Sequence, residues 1–464
     1  MKKMKVVDIR EKPLERRISS KQFRCQKREL ILSYKPESLI LQRIKRTKAT
    51  VWKYNSRNSN ERMEISKRMS TVLSQALKLG KAIQELLFDR SFPFLYNFTE
   101  KAFINLIHNL KRLKSLRRIT LRIHRVGNMT DSELYWLMKA LTGPSSLKNL
   151  LLELGSVEKI TDIGLNYIRR SLKKMAFLKS VEIEMWNLES VTDKGFYKLN
   201  GSLNRLLKLE EVNVLTPFCN MTDVALASMN FKRLTSLKQV HLFFPGCTQL
   251  TDRGMYLITQ SLKELPNLHK ISLNLLECPR FSDFGLHDIW KMMNNLPSLR
   301  RVTLAFSGCL EISDAGFDDM EETLTCWGSI QKFHLEFCGC PEISNWGLNY
   351  LCKALDRAVS LQNLSVSFSD NPNITDAGMK KVVDCMDKLA SLKEIALVFE
   401  SCEKITDESL KYTAQFLRSQ TKLEKVLLGS EIPGATEEGV DEMNEEVFEL
   451  MSQRPEMIIE FGNL

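Results

Sequence analysis

The chain has 464 residues, 43% of them hydrophobic, so it is long enough and apolar enough to bury a large core. It contains no run of about 18 apolar residues, which argues against a membrane-spanning helix. Its net charge of +11 is unevenly divided: residues 1–80 hold 22 Lys and Arg against 7 Asp and Glu, a net +15, and the remainder carries −4. We therefore expect a basic N-terminal segment joined to a mildly acidic globular part.

Residues 1–58 show little periodicity and are predicted to form a basic arm. Its most cohesive part holds five candidate docking residues, namely Lys45, Arg46, Lys48, Trp52 and Lys53. We expect this arm to bind an acidic protein surface such as a microtubule. RNA is less favoured, because few aromatic residues alternate with the basic ones. No apolar stretch follows the basic start, so we expect neither a signal peptide nor a membrane partner.

Residues 59–82 are predicted to form an N-terminal capping helix. Met69, Val72, Leu73 and Ala76 fall on one side of that helix, and Gly80 supplies a stop signal. The last unit of a repeat array exposes its core on one side. A covering helix at this end of the chain would bury that surface.

A repeat occupies residues 83–430. Its marker is a Thr or Ser, most often followed by Asp, and eight of the eleven intervals between markers are 31 residues. The markers are Thr99, Thr130, Thr161, Thr192, Thr222, Thr251, Ser282, Ser313, Ser344, Thr375, Thr406 and Thr436. Self-similarity at this period is typical of a solenoid.

Each unit is predicted to form a strand, a turn and a helix. Around Leu299 and Val302, apolar residues alternate as in a strand with one buried side. Ser313 is a predicted helix N-cap, and Asp314 suits the positive end of the helix dipole. Four residues before each marker, six successive units hold a small thiol or amide that we expect to be buried and to cap turning backbone: Cys247, Cys278, Cys309, Cys340, Asn371 and Cys402.

These motifs resemble the cysteine-containing subclass of leucine-rich repeats, as in Ile160–Leu165 (ITDIGL) and Ile374–Met379 (ITDAGM). The resemblance implies an α/β horseshoe of about twelve 31-residue units, with a parallel inner sheet and outer helices. The repeat region is similar to that of F-box leucine-rich proteins. However, no F-box is recognisable before Ile83, because an opening like L-P-x-E and a compact three-helix pattern are both missing.

Two units depart from the pattern. The interval from Leu209 to Leu237 is 28 residues, so we expect the shortest connections there. Residues 431–464 are rich in Glu and end in an apolar stretch at Met457–Phe461. They are predicted to form an acidic C-terminal cap made of one helix and one strand.

The candidate partner-binding residues lie at strand positions that point away from the core. They are Glu153, Glu182, Glu184, Glu211, Leu215, His241, Phe243, His334 and Glu336. Crowded carboxylates beside apolar side chains could receive a basic peptide. Two alternatives stay open: a solvated face on which Arg122 pairs with Glu153, or a surface that binds the chain's own basic arm.

Enzyme chemistry is not predicted. The six histidines show no H-E-x-x-H spacing, and no G-x-S-x-G or phosphate-binding glycine loop occurs. Cys338 and Cys340 have no second cysteine pair with which to complete a zinc site. We therefore expect no catalytic residue, no cofactor, no metal and no small-molecule substrate.

The leading hypothesis is a non-enzymatic protein–protein interaction scaffold in a cytoplasmic or cytoskeletal assembly, including that of the ciliary axoneme. Cysteines that fit the repeat favour reduced thiols, and hence the cytosol. The first alternative is a substrate-recognition subunit of a ubiquitin ligase. The second is a ribonucleoprotein component that binds RNA through the arm.

Overall fold

The computed structural model describes residues 29–32, 51–55, 84–89, 110, 113–124, 129–320 and 325–462. The chain divides into a first unit within Pro13–His241 and a second unit that includes Leu242–Leu464. The predicted capping helix over 59–82 and the marker Thr99 lie outside the described residues. No helix in the described ranges is long and apolar enough to cross a membrane.

The first unit is built on parallel strands that pair in chain order. Its strands are β1 Glu29–Leu32, β2 Val51–Asn55, β3 Glu85–Asp89, β4 Arg118–His124, β5 Asn149–Gly155, β6 Ser180–Trp186 and β7 Glu211–Leu215. Strand β8, Gln239–Phe243, lies where the chain passes into the second unit. Because β2 pairs with β3, the strand ladder extends N-terminal of residue 83, into the segment predicted as an arm.

Helices alternate with the strands of this unit. They are α1 Asp131–Leu141, α2 Asp162–Leu172, α3 Asp193–Leu203 and α4 Asp223–Leu226, followed by a 3-10 turn at Phe231–Arg233. Helix α4 has only 4 residues, whereas α3 has 11. The short interval between Leu209 and Leu237 therefore shortens the helix itself, and not only its connections.

The second unit repeats the same plan. Its parallel strands are β9 Lys270–Asn274, β10 Arg301–Ala305, β11 Lys332–Glu336, β12 Asn363–Ser367, β13 Glu394–Val398, β14 Lys425–Leu428 and β15 Ile458–Phe461. Its helices are α5 Asp252–Leu262, α6 Asp283–Asn294, α7 Asn345–Leu355, α8 Asp376–Asp387, α9 Asp407–Ser419 and α10 Glu437–Gln453. The predicted α/β repeat architecture is confirmed, and α10 with β15 forms the final helix and strand expected over 431–464.

One unit differs from the predicted pattern. After Ser313 the chain forms a 3-10 helix, Asp314–Phe317, where the other units begin an α-helix. A second 3-10 helix follows at Thr325–Ser329. Ser313 still caps this element, because its hydroxyl accepts a hydrogen bond from the Ala315 N–H.

Strand alternation places the core on one side of each sheet. In β6, Val181, Ile183 and Met185 are buried, whereas Glu182 and Glu184 are half-buried on the opposite side. In the second unit, one repeat position is filled by a row of phenylalanines whose neighbouring ring centroids are 5.3 to 5.8 Å apart: Phe306, Phe337, Phe368 and Phe399. Equivalent residues thus stack from repeat to repeat.

The Asp that follows most markers links its repeat to the next one, and Asn345 takes its place after Ser344. The Asp283 carboxylate accepts the Ser313 N–H at 2.8 Å and the Ser313 hydroxyl at 2.7 Å. The same pair of bonds joins Asp162 to Thr192. Burial raises the pKa of Asp376, but hydrogen bonds from Ser409 and Thr406 outweigh it, and the pKa lies below its ordinary value. This Asp ladder gives the residue a second role beyond the helix dipole.

The cysteine position forms a second ladder. The Cys309 thiol donates to the Leu275 carbonyl oxygen at 3.1 Å. Asn371, which replaces cysteine in its repeat, donates to the Phe337 carbonyl oxygen at 2.8 Å. Burial raises the pKa of Cys340 to about 12, so its thiol stays protonated and able to donate. The expectation that these small groups are buried and cap turning backbone is confirmed.

Candidate functional site

The strongest candidate surface is the strand face of the first unit. We define the acidic strand face as Glu153 on β5, Glu182 and Glu184 on β6, and Glu211 on β7. Glu182, Glu184 and Glu211 are half-buried and alternate with buried side chains, so the periodicity that builds the core turns them away from it. Glu153 has the equivalent position on β5 but is buried.

The strand register brings the four carboxylates together. Glu153 pairs with Glu184, and Ser180 pairs with Glu211. Directly opposed positions on neighbouring strands are about 4.8 Å apart. Like charges at such positions repel each other. The sequence prediction that these residues share one region is therefore correct.

Only part of this charge is offset by a basic side chain on the same face. Arg122 on β4 lies opposite Glu153, and its Nε is 2.7 Å from Glu153 Oε2. Glu153 is 7% exposed, so this ion pair is largely removed from water. The alternative reading, in which Arg122 pairs with Glu153, holds for this one carboxylate.

Burial and the crowding of negative charge shift the pKa of Glu184. Burial, a hydrogen bond with Glu182, and repulsion from Glu153 and Glu182 raise its pKa to about 7, while Arg122 acts in the opposite direction. Near neutral pH this carboxyl group is therefore only partly ionised. A cation that bound beside it would favour the ionised form and expel a proton.

A cavity of about 250 Å³ opens on the same face. Glu182 and Glu211 line one part of it, and Arg118 lines another. Leu151 and Ser180 also contribute to its walls. Thr120 and Asn149 line it as well, so the cavity is mostly polar, with two carboxylates and one guanidinium around it.

Asn213 adds an acceptor that the sequence reading missed. Its amide nitrogen is 3.4 Å from Glu211 Oε1, and its buried carbonyl oxygen Oδ1 has no hydrogen-bond partner among the described residues. Buried acceptors without a donor are costly. Because this oxygen is itself buried, a donor on a partner could not reach it without a local rearrangement.

The remaining predicted residues of this region lie farther along the chain. Leu215, half-buried, pairs with Glu184 and borders the acidic strand face. His241 follows on β8, which starts beside β7 because the Gln239 N–H bonds the Glu210 carbonyl oxygen. Phe243 ends the same strand and belongs to the second unit. Both His241 and Phe243 are half-buried.

His334 and Glu336 form a separate cluster on β11 of the second unit. His334 Nδ1 is 2.8 Å from the Ser365 hydroxyl, and Nε2 is 3.8 Å from Glu336 Oε2. The Ser307 hydroxyl donates to Glu336 at 2.8 Å. The interaction with His334 is the main cause that holds the pKa of Glu336 below its usual range. These two predicted residues are therefore partnered by their own neighbours.

The predicted docking arm is only partly described. Lys45, Arg46 and Lys48 lie outside the described residues. Trp52 and Lys53 lie on β2, where their backbone positions pair with Leu86 and Leu87 of β3. The docking role of these five residues stays a prediction.

One group in the described residues has the composition of a cation site. His287, Asp318 and Asp319 bring their ligand atoms within 4.8 Å of one another. However, His287 Nε2 is 2.9 Å from the Ala315 carbonyl oxygen, and the Lys291 ammonium is 3.3 Å from Asp319. A local hydrogen bond and an ion pair account for this cluster.

Comparisons with known proteins add no family. A scan against protein-family models gave no match, and a search of curated proteins found no similar sequence. The leucine-rich-repeat resemblance therefore rests on the motifs and on the repeating architecture of each unit.

Proposed function

We propose that this chain is a non-enzymatic interaction scaffold of the leucine-rich-repeat type. Its acidic strand face binds a basic segment of a partner protein. The observation that carries the proposal is the raised pKa of Glu184, about 7, within a group of four carboxylates. Such crowding costs free energy in the isolated protein. A bound cationic segment removes that cost, and electrostatic complementarity of this kind gives a partner specificity and fast association.

The shape of the surface supports an extended peptide. The cavity lined by Glu182, Glu211 and Arg118 gives space for one side chain of the peptide, and we expect a cationic head there to face the two carboxylates. Leu215 borders the face as an apolar anchor. A Lys or Arg flanked by apolar residues matches this arrangement better than a uniformly charged chain does.

We further propose that the basic arm docks the scaffold on an acidic surface such as a microtubule, in the cytoplasm, in the cytoskeleton or in the ciliary axoneme. The nine cysteines whose side chains the structure describes are all free, as in proteins of reducing compartments. Microtubule cosedimentation tests the arm. Replacement of Lys45, Arg46 and Lys48 by Ser should abolish it, and unchanged cosedimentation would remove the docking role.

The binding role is tested by calorimetric titration of the full chain with a short synthetic peptide of lysine, leucine and serine. The test variant carries Glu182→Gln, Glu184→Gln and Glu211→Gln. We expect its affinity to fall at least about tenfold. Glu153 is left in place, because its removal would strand the Arg122 guanidinium.

A matched control changes the same net charge elsewhere. Glu442, Glu445 and Glu449 are exposed on α10, and their replacement by Gln should leave the affinity within about twofold. Equal losses in the two triple variants would mean that the peptide responds only to net charge. That result would contradict a binding role for the acidic strand face.

A further inference from the structure

The edge of the second unit where its helices begin carries exposed aromatic side chains. The residue two positions after each N-cap faces solvent there. In α6 this residue is Phe284, 75% exposed, and in α7 it is Trp346, 67% exposed. Other repeats of the unit place Arg253 or Glu408 at this position. The position therefore suits charged residues, and the fold does not require an aromatic side chain there.

A third apolar side chain lies between these two. Leu310 is 56% exposed, and it precedes Glu311, which forms a backbone bridge with Ser282, the N-cap of α6. Ala315, the equivalent of Phe284 in the intervening repeat, is also exposed. We define the aromatic edge as Phe284, Leu310, Ala315 and Trp346. Ile163 and Val224 are exposed at the same repeat position in the first unit, but they are smaller than Phe284 and Trp346. Single exposed apolar residues are ordinary, whereas large ones grouped along one edge are typical of an interaction site.

Acidic residues flank the aromatic edge. Glu277, Glu311 and Glu342 are exposed in the loops that lead to these helices, against two exposed bases, Arg280 and Arg253, the latter at the start of α5. Glu342 forms a backbone bridge with Ser313, two residues before Ala315. An anionic lipid surface would be repelled by this arrangement. A partner with Lys or Arg beside an apolar stripe would be attracted.

The repeat spacing sets the size of the partner. Packed helices lie about 10 Å apart, so Phe284 and Trp346, two repeats apart, are separated by about 20 Å. An α-helix rises about 1.5 Å per residue, and about 13 residues cover this distance. Leu310 supplies a contact between the two aromatic anchors.

We propose that the aromatic edge binds an amphipathic helix of a partner protein, about four turns long, whose apolar stripe is flanked by basic residues. The apolar stripe packs on Phe284, Leu310 and Trp346, and the basic residues face Glu277, Glu311 and Glu342. This site is independent of the acidic strand face, because it lies in the second unit and requires an apolar stripe.

The test uses the full chain and a synthetic leucine–lysine helix of about 18 residues, long enough to span both aromatic anchors. The test variant carries Phe284→Ser and Trp346→Ser, and we expect at least about a tenfold loss of affinity by calorimetry. The matched control carries Val359→Ser and Phe448→Ser, which are 71% and 75% exposed in the same unit. It should bind like the unaltered chain, and the melting temperature verifies folding of each variant.

Three further arms can overturn the proposal. A leucine–glutamate helix that bound as tightly would remove the role of the acidic flank. Vesicles of phosphatidylcholine that bound through Trp346 would make the edge a membrane contact. The third arm measures binding of the leucine–lysine helix to the variant with Glu182→Gln, Glu184→Gln and Glu211→Gln. If this variant lost affinity and the Phe284 and Trp346 variant did not, the binding would belong to the acidic strand face.

Discussion

The strand faces of the two units differ, although their frameworks match. In the first unit, β5, β6 and β7 carry four glutamates, and the pKa of Glu184 is raised to about 7. In the second unit, His334 and Glu336 are bound by Ser365 and Ser307. The next two strands present small or apolar residues there, namely Ser365, Ser367, Ala396 and Val398. The comparison separates the residues that stabilise the repeat framework from the outward strand residues, which differ between the two units.

The positions that repeat in every unit are structural. The Asp ladder ties neighbouring repeats together in both units, and the cysteine ladder does so in the second unit. The outward strand positions make no such regular contact, so their residues can change without loss of the fold. We expect a binding site at those positions, in the unit whose strand face carries an excess of negative charge.

The largest expected effect comes from breaking the cysteine ladder. Cys309→Asp would bury an unpaired carboxylate and should destabilise the chain by at least about 4 kcal/mol in denaturant unfolding. Cys309→Ala removes only the thiol and its hydrogen bond to Leu275, and should cost about 1 to 2 kcal/mol. An unchanged melting temperature in the Asp variant would contradict the ladder.

The Asp ladder should come next. Asp283→Ala leaves the Ser313 N–H and hydroxyl without their acceptor, and should cost about 2 kcal/mol in the same measurement. Asp283→Asn should cost less than about 1 kcal/mol, because Asn345 already fills the equivalent position and bonds Thr375 through both amide atoms. Equal losses in the two variants would show that charge, and not hydrogen bonding, decides the contribution.

Glu184 gives a prediction that depends on pH. Its folded pKa of about 7 lies above the unfolded value of 4.5, so the native state favours the protonated form. Stability linked to this group is present below pH 4.5 and is lost as the pH rises through 7. Glu184→Gln should therefore raise the stability by about 1 to 2 kcal/mol near pH 8, after allowance for solvent screening.

The same variant should match the unaltered chain near pH 4.5, where both carry a neutral side chain. Thermal unfolding at the two pH values measures the difference. A constant difference across that range would mean that Glu184 is not crowded by its neighbours.

The smallest effect is expected at Glu210, which immediately precedes β7 and pairs with Lys179 and Lys238. Hydrogen bonds from these two lysines lower its pKa to about 2. Its contribution is thus present above the unfolded pKa and is lost as the pH falls towards 2. Because the pair is solvated, Glu210→Gln should cost about 0.5 kcal/mol at neutral pH, and a loss above about 2 kcal/mol would contradict this view.

Much of the fold follows from sequence periodicity, because the same pattern of strand residues and helix N-cap returns in each repeat. Thr161, Ser282 and Thr406 are N-caps where the markers predict them. The Asp ladder could have been found as well, since each Asp precedes the next marker by nearly the same interval, 30 residues for Asp283 and Ser313. The 3-10 helix at Asp314–Phe317 could not have been predicted, because its marker and its Asp are the same as in repeats that form an α-helix.

The candidate site was only half predictable. Strand alternation assigned Glu153, Glu182 and Glu184 to one face, which the register confirms. The same alternation grouped His334 and Glu336 as candidates, although Ser307 and Ser365 satisfy them. Those partners lie 29 and 31 residues away, so only the register of neighbouring repeats reveals them. The exposure of Phe284 likewise depends on where the helix starts.

Proton release on peptide binding tests the central claim most directly. Calorimetric titration near pH 7 with the lysine, leucine and serine peptide, in two buffers of different ionisation enthalpy, measures the protons exchanged. A cation bound beside Glu184 lowers its pKa, so the unaltered chain should release up to about half a proton per peptide, and the Glu184→Gln chain should release almost none. Binding of unchanged strength with equal proton exchange in both chains would contradict the assignment of the acidic strand face as the binding site.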